Sequence, residues 1–308
     1  MSRIHEALKK AEQERAATQG GTPQPEMVSV PVAEVPVYHE AAPAVSAPVP
    51  PAPLPAFGNP FSVEALLGQC PQTQWKPDLG TMLFMNGDDG ARGTEEYRTL
   101  RSRLYALREK MTLKTVLVTS ALPKEGKSFT AANLAQVMVR QHGRRVLLID
   151  GDLRGPRLHL MLGTKSGPGL SEYLQGKNDE FTIMQRGRFE NLFFIPSGTS
   201  VEDPAELVGN GRLKMLLQRV SPLFDWIIVD SPPAVPVSDA SVLAKDCDGV
   251  LMVVRSNSTP SDAARKARLE FPDQSLIGVV LNGTSDEITP YARYYYETYE
   301  KRGSTNKS

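Results

Sequence analysis

Residues 115–130, TVLVTSALPKEGKSFT, run a β-branched apolar stretch into a short Pro/Gly turn and on into the helix-forming AANLAQVMV. A strand joined to a helix by so short a loop commits the chain to βα units and a parallel sheet. The loop follows the spacing G-x-x-x-x-G-K-[ST], with Ala121 in place of the first glycine. In that pattern successive backbone N–H groups, at the positive end of the following helix, wrap phosphate oxygens. Lys124, Glu125, Gly126, Lys127, Ser128 and Phe129 are therefore the expected nucleotide-binding residues. Lys127 would reach the β- and γ-phosphates, and the Ser128 hydroxyl would join the shell of Mg²⁺. The plainer reading is a Gly-Lys-Ser turn capping an ordinary helix. The strand before it and the helix after it favour a nucleoside triphosphate site.

The pattern continues along the chain. Apolar strand candidates fall at 115–119, 145–149, 192–195, 225–229, 249–254 and 276–281, separated by helical patterns at 128–141, 204–220 and 261–270. A further helix is read over 93–110, GTEEYRTLRSRLYALREK. Near-continuous apolar strands alternating with helices predict an α/β fold of the P-loop NTPase type, with a mostly parallel sheet covered by helices on both faces.

The first ninety residues are different in kind. They hold 13 of the 25 prolines, and 41–57, AAPAVSAPVPPAPLPAF, is nearly all Ala, Pro and Val. Proline cannot donate to a ladder, so an extended, largely disordered linker is expected over 18–90. Ahead of it, residues 1–17 read as a short helix capped by Ser2, with Ile4, Leu8 and Ala11 in a narrow apolar stripe. Such a helix either folds against a partner or stays solvated. The remainder divides into a domain at 91–289 and a tyrosine-rich tail at 290–308.

Charge and cysteine content narrow the partners. Thirty-five basic residues balance 35 acidic ones, which argues against a nucleic-acid-coating protein. Cys70 and Cys247 lie far apart with no metal-ligand spacing, so a reducing compartment is expected and Cys247 reads as a core residue. No apolar run approaches membrane-spanning length, and the N-terminus lacks an apolar signal core. A cytoplasmic protein follows as the expectation.

Two carboxylate motifs end predicted strands. LLIDGDLR places Asp150 and Asp152 two residues apart, followed by Arg154, and WIIVDSPP places Asp230 before a Pro-Pro turn. Ligands in open α/β sheets bind beyond the carboxyl ends of the strands, so all three aspartates should converge on the phosphate loop. Each alone could be a turn or cap residue, the commoner fate of an aspartate at a strand end. Together, beside such a loop, all three are candidate Mg²⁺ and catalytic groups.

The loop SALPKEGKS, the Asp150-Gly-Asp152-Leu-Arg154 motif and the Asp-Ser-Pro-Pro turn together resemble the bacterial protein-tyrosine kinases (BY-kinases) of capsular and exopolysaccharide synthesis. Glu95-x-x-Arg98-x-x-Arg101 matches the pattern those kinases use to pack into a ring, and on its own is a common solvated helix face. The C-terminal YARYYYETYEKRG carries Tyr291, Tyr294, Tyr295, Tyr296 and Tyr299, five of the nine tyrosines, and resembles their autophosphorylated tail. Its alternative is a packed terminal helix. The likeness spans about residues 92–302. It implies a protein-tyrosine kinase using ATP and Mg²⁺, with Asp150 accepting the tyrosine proton and Lys127 stabilising the transferring phosphoryl group. Asp152 and Asp230 would hold the metal, and Arg255 and Asn282 would lie near the nucleotide base; turn residues are their plainer reading. It further implies a homo-oligomeric ring, a membrane-embedded polysaccharide co-polymerase as activator, a cognate tyrosine phosphatase, and recruitment to the inner face of the plasma membrane.

Two departures stand out. The family usually has glycine where Lys124 stands, and its membrane-sensor members carry transmembrane helices that this sequence lacks. One rival class is the division-site and partitioning ATPases, which share the loop and the Asp-Pro-Pro turn. Their signature lysine falls one residue after the loop's first position, where this chain has Leu122. A second rival is a scaffold that binds ATP without transferring phosphate.

Overall fold

The computed structural model describes residues 62–84, 93–187 and 189–284. In chain order the elements are α1 (Val63–Gln69), α2 (Thr94–Arg108), β1 (Thr115–Ser120), α3 (Lys127–Val139) and β2 (Val146–Asp150). Then come α4 (Leu158–Leu162), α5 (Leu170–Leu174), α6 (Glu180–Ile183), β3 (Gln185–Arg186) and β4 (Leu192–Ile195). The remainder is α7 (Pro204–Val208), α8 (Arg212–Val220), β5 (Trp226–Asp230), α9 (Asp239–Ala244), β6 (Gly249–Arg255), α10 (Ser261–Leu269) and β7 (Leu276–Asn282). The seven strands form one sheet in the order β3-β4-β2-β5-β1-β6-β7. All neighbours are parallel except the short β3, which runs antiparallel to β4.

The apolar character of the strands explains the layering. β1, β2, β4 and β5 are buried at every position, because helices cover both faces. Leu117, Leu147, Ile149, Phe193, Ile227 and Val229 feed one core; Val116, Val118, Leu148, Phe194, Trp226 and Ile228 feed the other. Within each strand successive residues take opposite sides, as the pleat requires. α3 is buried along nearly its whole length. Among the described residues no helix is long and apolar enough to cross a membrane.

Two expectations need correction. The helical pattern at 204–220 is two helices, α7 and α8, because Gly209-Asn210-Gly211 interrupts it and Gly211 takes a left-handed φ of 81°. The linker expected over 18–90 does not extend to its far end. Ser62 accepts a hydrogen bond from the Ala65 amide and caps α1, and Leu66, Cys70, Trp75, Met82 and Phe84 are buried. Residues 71–78 run along the β3/β4 side of the sheet, with Thr73 N donating to Arg186 O and Arg186 N to Pro71 O. Trp75 meets Phe194 edge-on at 6.2 Å. Five apolar anchors in 19 residues outweigh the two prolines there. The helix expected at 1–17 and the tail tyrosines lie outside the described residues.

Candidate active site

β1 delivers the chain into the loop 121–126, and the loop's backbone explains its residue types. Gly126 has φ 96°, and a Cβ there would collide with the Asn282 amide. Glycine is required on both counts. Ala121 is fully buried, and the non-glycine residues with positive φ among those described are Lys124 and Asn257, so Ala121 needs no glycine. Lys124, at φ 66°, occupies a left-handed position, which accounts for the glycine usual there in the resembling family.

The loop is held from within and from the side. Glu125, buried, accepts from the Leu122 amide at 2.9 Å and from the Thr259 hydroxyl. Thr259 in turn accepts from the Arg255 amide at 2.9 Å. Arg255 Nη1 donates to Lys124 O at 3.1 Å, and Asn282 Nδ2 donates to Glu125 O at 2.9 Å. The ends of β6 and β7 thus grip two loop carbonyls, and apart from Leu122 N, which Glu125 takes, the loop's N–H groups are left for an anion. Thr259 was not foreseen; a threonine before Pro260 reads as an ordinary turn residue. The Phe129 ring packs on Tyr97 at 6.3 Å, so its backbone is what it offers the phosphate turn.

The Asp-Ser-Pro-Pro turn lies against the start of the same loop. Ser231 N donates to Val118 O, Ala234 N to Ser120 O, and the Thr119 hydroxyl to Pro232 O. Asp150 and Asp230 are register partners on β2 and β5. Gly151 between the acidic residues is required by closeness, since a Cβ would stand 2.6 Å from Asp230 O. Arg154 makes a two-pronged bond to the buried Asp239, at 2.8 and 3.0 Å, pinning the loop after β2 to the start of α9. Nothing in the sequence marked Asp239 as its partner.

Lys127 is the positive centre of this cluster. Its Nζ lies 2.7 Å from Asp152 Oδ2 and 3.3 Å from the Ser128 hydroxyl. Burial works against its charge, but Asp230, Asp152 and Asp150 more than offset it and hold its pKa above the ordinary lysine value. Asp150 is sealed from solvent, with Oδ1 accepting from Asp152 N at 3.3 Å and Oδ2 from Leu158 N at 3.1 Å. Burial, then the charges of Asp230 and Asp152, push its pKa well above the carboxylate range. Burial likewise raises Asp230, to about 6, although Lys127 draws it down. Both Asp230 oxygens are buried without a hydrogen-bond partner, while the Ser128 hydroxyl and Ser231 amide lie near enough to favour its charge.

An orphaned carboxylate beside a serine hydroxyl and a second aspartate fits Mg²⁺. Among the described residues no group of three or more His, Cys, Asp or Glu is arranged as a metal cage. Mg²⁺ does not need one, since it commonly takes one or two carboxylates with water and substrate phosphates. Ser128, Asp152 and Asp230 are the residues that would hold it.

The helix expected to carry assembly contacts has its charges engaged locally. Arg98 pairs with Glu95 on the same face, and Arg101 Nη1 donates to Val137 O, in the last turn of α3, at 2.9 Å. Cys70 is buried with Sγ donating to Met184 O at 3.1 Å, its thiol pushed up to about 12 by burial. Burial also raises Cys247, which packs on the core as expected.

A left-handed glycine before Lys127-Ser128, between a buried strand and a buried helix and facing aspartates from two neighbouring strands, defines a P-loop NTPase. The family model matching residues 112–305 is described as ParA, "NUBPL iron-transfer P-loop NTPase". Tyrosine-protein kinase YwqD of Bacillus subtilis is 36% identical over 208 residues, covering 67% of this chain and 86% of YwqD. Tyrosine-protein kinase CpsD of Streptococcus agalactiae is 31% identical over 225 residues, covering 70% and 94%. The kinase domain of the Escherichia coli tyrosine kinase ETK superposes with a TM-score of 0.63 at 30% identity, over 72% of this chain and 85% of that one. The chain belongs to the bacterial protein-tyrosine kinase family, and its enzyme class is that of a protein-tyrosine kinase.

Proposed function

We propose that the protein is an ATP- and Mg²⁺-dependent tyrosine autokinase that phosphorylates its own C-terminal tyrosines in a neighbouring subunit and so regulates capsular or exopolysaccharide synthesis or export. The observation that carries the reading is Lys127 at the mouth of the phosphate loop, ringed by Asp150, Asp152 and Asp230, in a chain of this family.

The loop N–H groups and Lys127 bind the β- and γ-phosphates, which requires Lys127 to turn from Asp152. Asp152, once released, would hold Mg²⁺ together with Ser128 and Asp230. When bound, the metal neutralises charge on the phosphates during transfer. Asp150 takes the tyrosine proton, as the carboxylate at the end of β2 beside Asp152 and Lys127. Because Asp150 is sealed and hydrogen-bonded to Leu158 N, the hydroxyl reaches it only when segment 151–158 moves aside. Phosphoryl transfer depends chiefly on positioning and charge, and this constellation provides both.

Tyr291, Tyr294, Tyr295, Tyr296 and Tyr299 are the acceptors in this reading, and a ring formed through Glu95, Arg98 and Arg101 brings one subunit's tail to the next. Each phosphate adds about −1.5 to −2 of charge, so a modified tail is repelled from the acidic site and the ring loosens. A membrane-embedded co-polymerase activates the kinase at the inner face of the plasma membrane, and a tyrosine phosphatase resets it. Incubating the purified protein with ATP and Mg²⁺, followed by phosphotyrosine mapping, tests the proposal. Phosphate should fall between 291 and 299 and the modified fraction should elute later from a sizing column. Phosphate confined to Tyr97, Tyr105 or Tyr173 overturns it, and ATP hydrolysis with no phosphotyrosine favours the ATPase-switch alternative.

A further inference from the structure

Residues 81–84, within the expected linker of 18–90, lie on the outward face of α3. Three side chains tie them there. Asn133, fully buried on α3, donates from Nδ2 to Thr81 O at 2.9 Å and accepts from Leu83 N at Oδ1, also at 2.9 Å. The same amide donates to Phe129 O at 3.0 Å and accepts from Gln136 Nε2 at 3.0 Å. Gln136, also fully buried, touches Met82 Sδ at 3.5 Å. One turn on, Arg140 Nη1 donates to Phe84 O at 3.0 Å. An aromatic row runs beside these bonds: Phe84 meets Tyr97 edge-on at 6.3 Å, and Tyr97 meets Phe129 at 6.3 Å.

Asn133 therefore uses its donors and acceptor on two things at once, the strap backbone and the first turn of the nucleotide helix. Phe129, whose carbonyl it holds, follows Ser128 directly. A fully satisfied amide in a dry interior fixes one geometry, and losing it strands Thr81 O and Leu83 N without partners. The position of α3 in turn sets where Lys127, Ser128 and the first free N–H groups stand relative to a phosphate.

We infer that Asn133 is a positioning residue for nucleotide binding, acting by clamping the strap at Thr81–Phe84 across α3 so that the phosphate-binding turn is held in register. The strap is thus part of the kinase domain's nucleotide machinery. The inference concerns nucleotide affinity, so it stands whether or not phosphate goes to the tail tyrosines.

The test is fluorescent-ADP binding and steady-state kinetics on full-length variants. Asn133→Leu keeps the volume and removes all four bonds; Arg140→Ala removes the outer tie to Phe84, both the bond to Phe84 O and the guanidinium over its ring. Leu216→Ala, in the core on the other face of the sheet, is a control for general destabilisation. Asn133→Leu should raise the ADP Kd and the KM for ATP roughly tenfold with kcat within about twofold, and Arg140→Ala should raise them two- to threefold. Leu216→Ala should lower the melting temperature with Kd unchanged. If Asn133→Leu does not fold, the Arg140→Ala shift decides. Unchanged Kd in the strap variants that fold, or an equal loss in Leu216→Ala, overturns the inference.

Discussion

Lys127 Nζ stands 2.7 Å from Asp152 Oδ2, and both are buried. Without a nucleotide, this lysine is the counter-charge to three carboxylates, so it carries stability as well as binding. Lys127→Met should abolish nucleotide binding and also destabilise the nucleotide-free protein by about 2–4 kcal/mol at neutral pH, because buried acidic groups are left unopposed. Denaturant unfolding without nucleotide checks this. A variant as stable as the parent would show the pair to be energetically idle.

Removal of an aspartate should do the opposite. The Asp230 carboxyl is raised to about 6 from 3.8, so between those values the folded protein holds a proton that the unfolded chain has released. Stability therefore falls as pH rises through that window and stays reduced above it. Asp230→Asn should stabilise the nucleotide-free protein by about 1–3 kcal/mol at pH 7.5, with the gain vanishing below about pH 4. Thermal unfolding against pH measures it. The same variant should lose most of the stabilisation that Mg²⁺-ATP gives the parent.

Gly126 meets two separate demands, its φ of 96° and the Asn282 amide against it. Gly126→Ala should reduce nucleotide affinity at least a hundredfold. Adding Asn282→Ala relieves the collision and leaves the φ, so the double variant should recover only part of it. Full recovery, measured by calorimetric titration, would mean that the collision alone mattered.

Arg101 and Glu95 should separate experimentally. Arg101 caps the last turn of α3 within its own subunit. Arg101→Ala should therefore lower the melting temperature by a few degrees and weaken nucleotide binding in dilute protein, where assembly is negligible. Glu95→Ala should change only oligomer size by light scattering. If both variants alter assembly alone, the bond to Val137 O has no energetic weight.

The phosphate loop and the aspartates ending β2 and β5 were legible because each rule involved is local: an apolar run, a glycine, a carboxylate at a strand end. What stayed hidden was long-range. Arg154 and Asp239 meet across 85 residues, and Thr259 reaches Glu125 across 134, with no periodicity to announce either. Residues 62–84 misled for a different reason. They follow a proline-dense stretch, and beyond the seven residues of α1 their anchors are too scattered to sustain a helical or strand period. Only the grooves they fill, against Met184, Phe194 and α3, make those anchors a core. The antiparallel β3 is two residues long, too short for any alternation to register.

The strap also dictates an order of events during synthesis. Cys70 Sγ finds its acceptor, Met184 O, 114 residues later, and Trp75 rests on Phe194. When these residues leave the ribosome their seats do not yet exist, and they wait unburied until the chain through β4 has emerged. At about 5–20 residues per second that interval is roughly 6–25 seconds. Over that time a cysteine and a tryptophan are open to whatever chaperone or unintended partner arrives first.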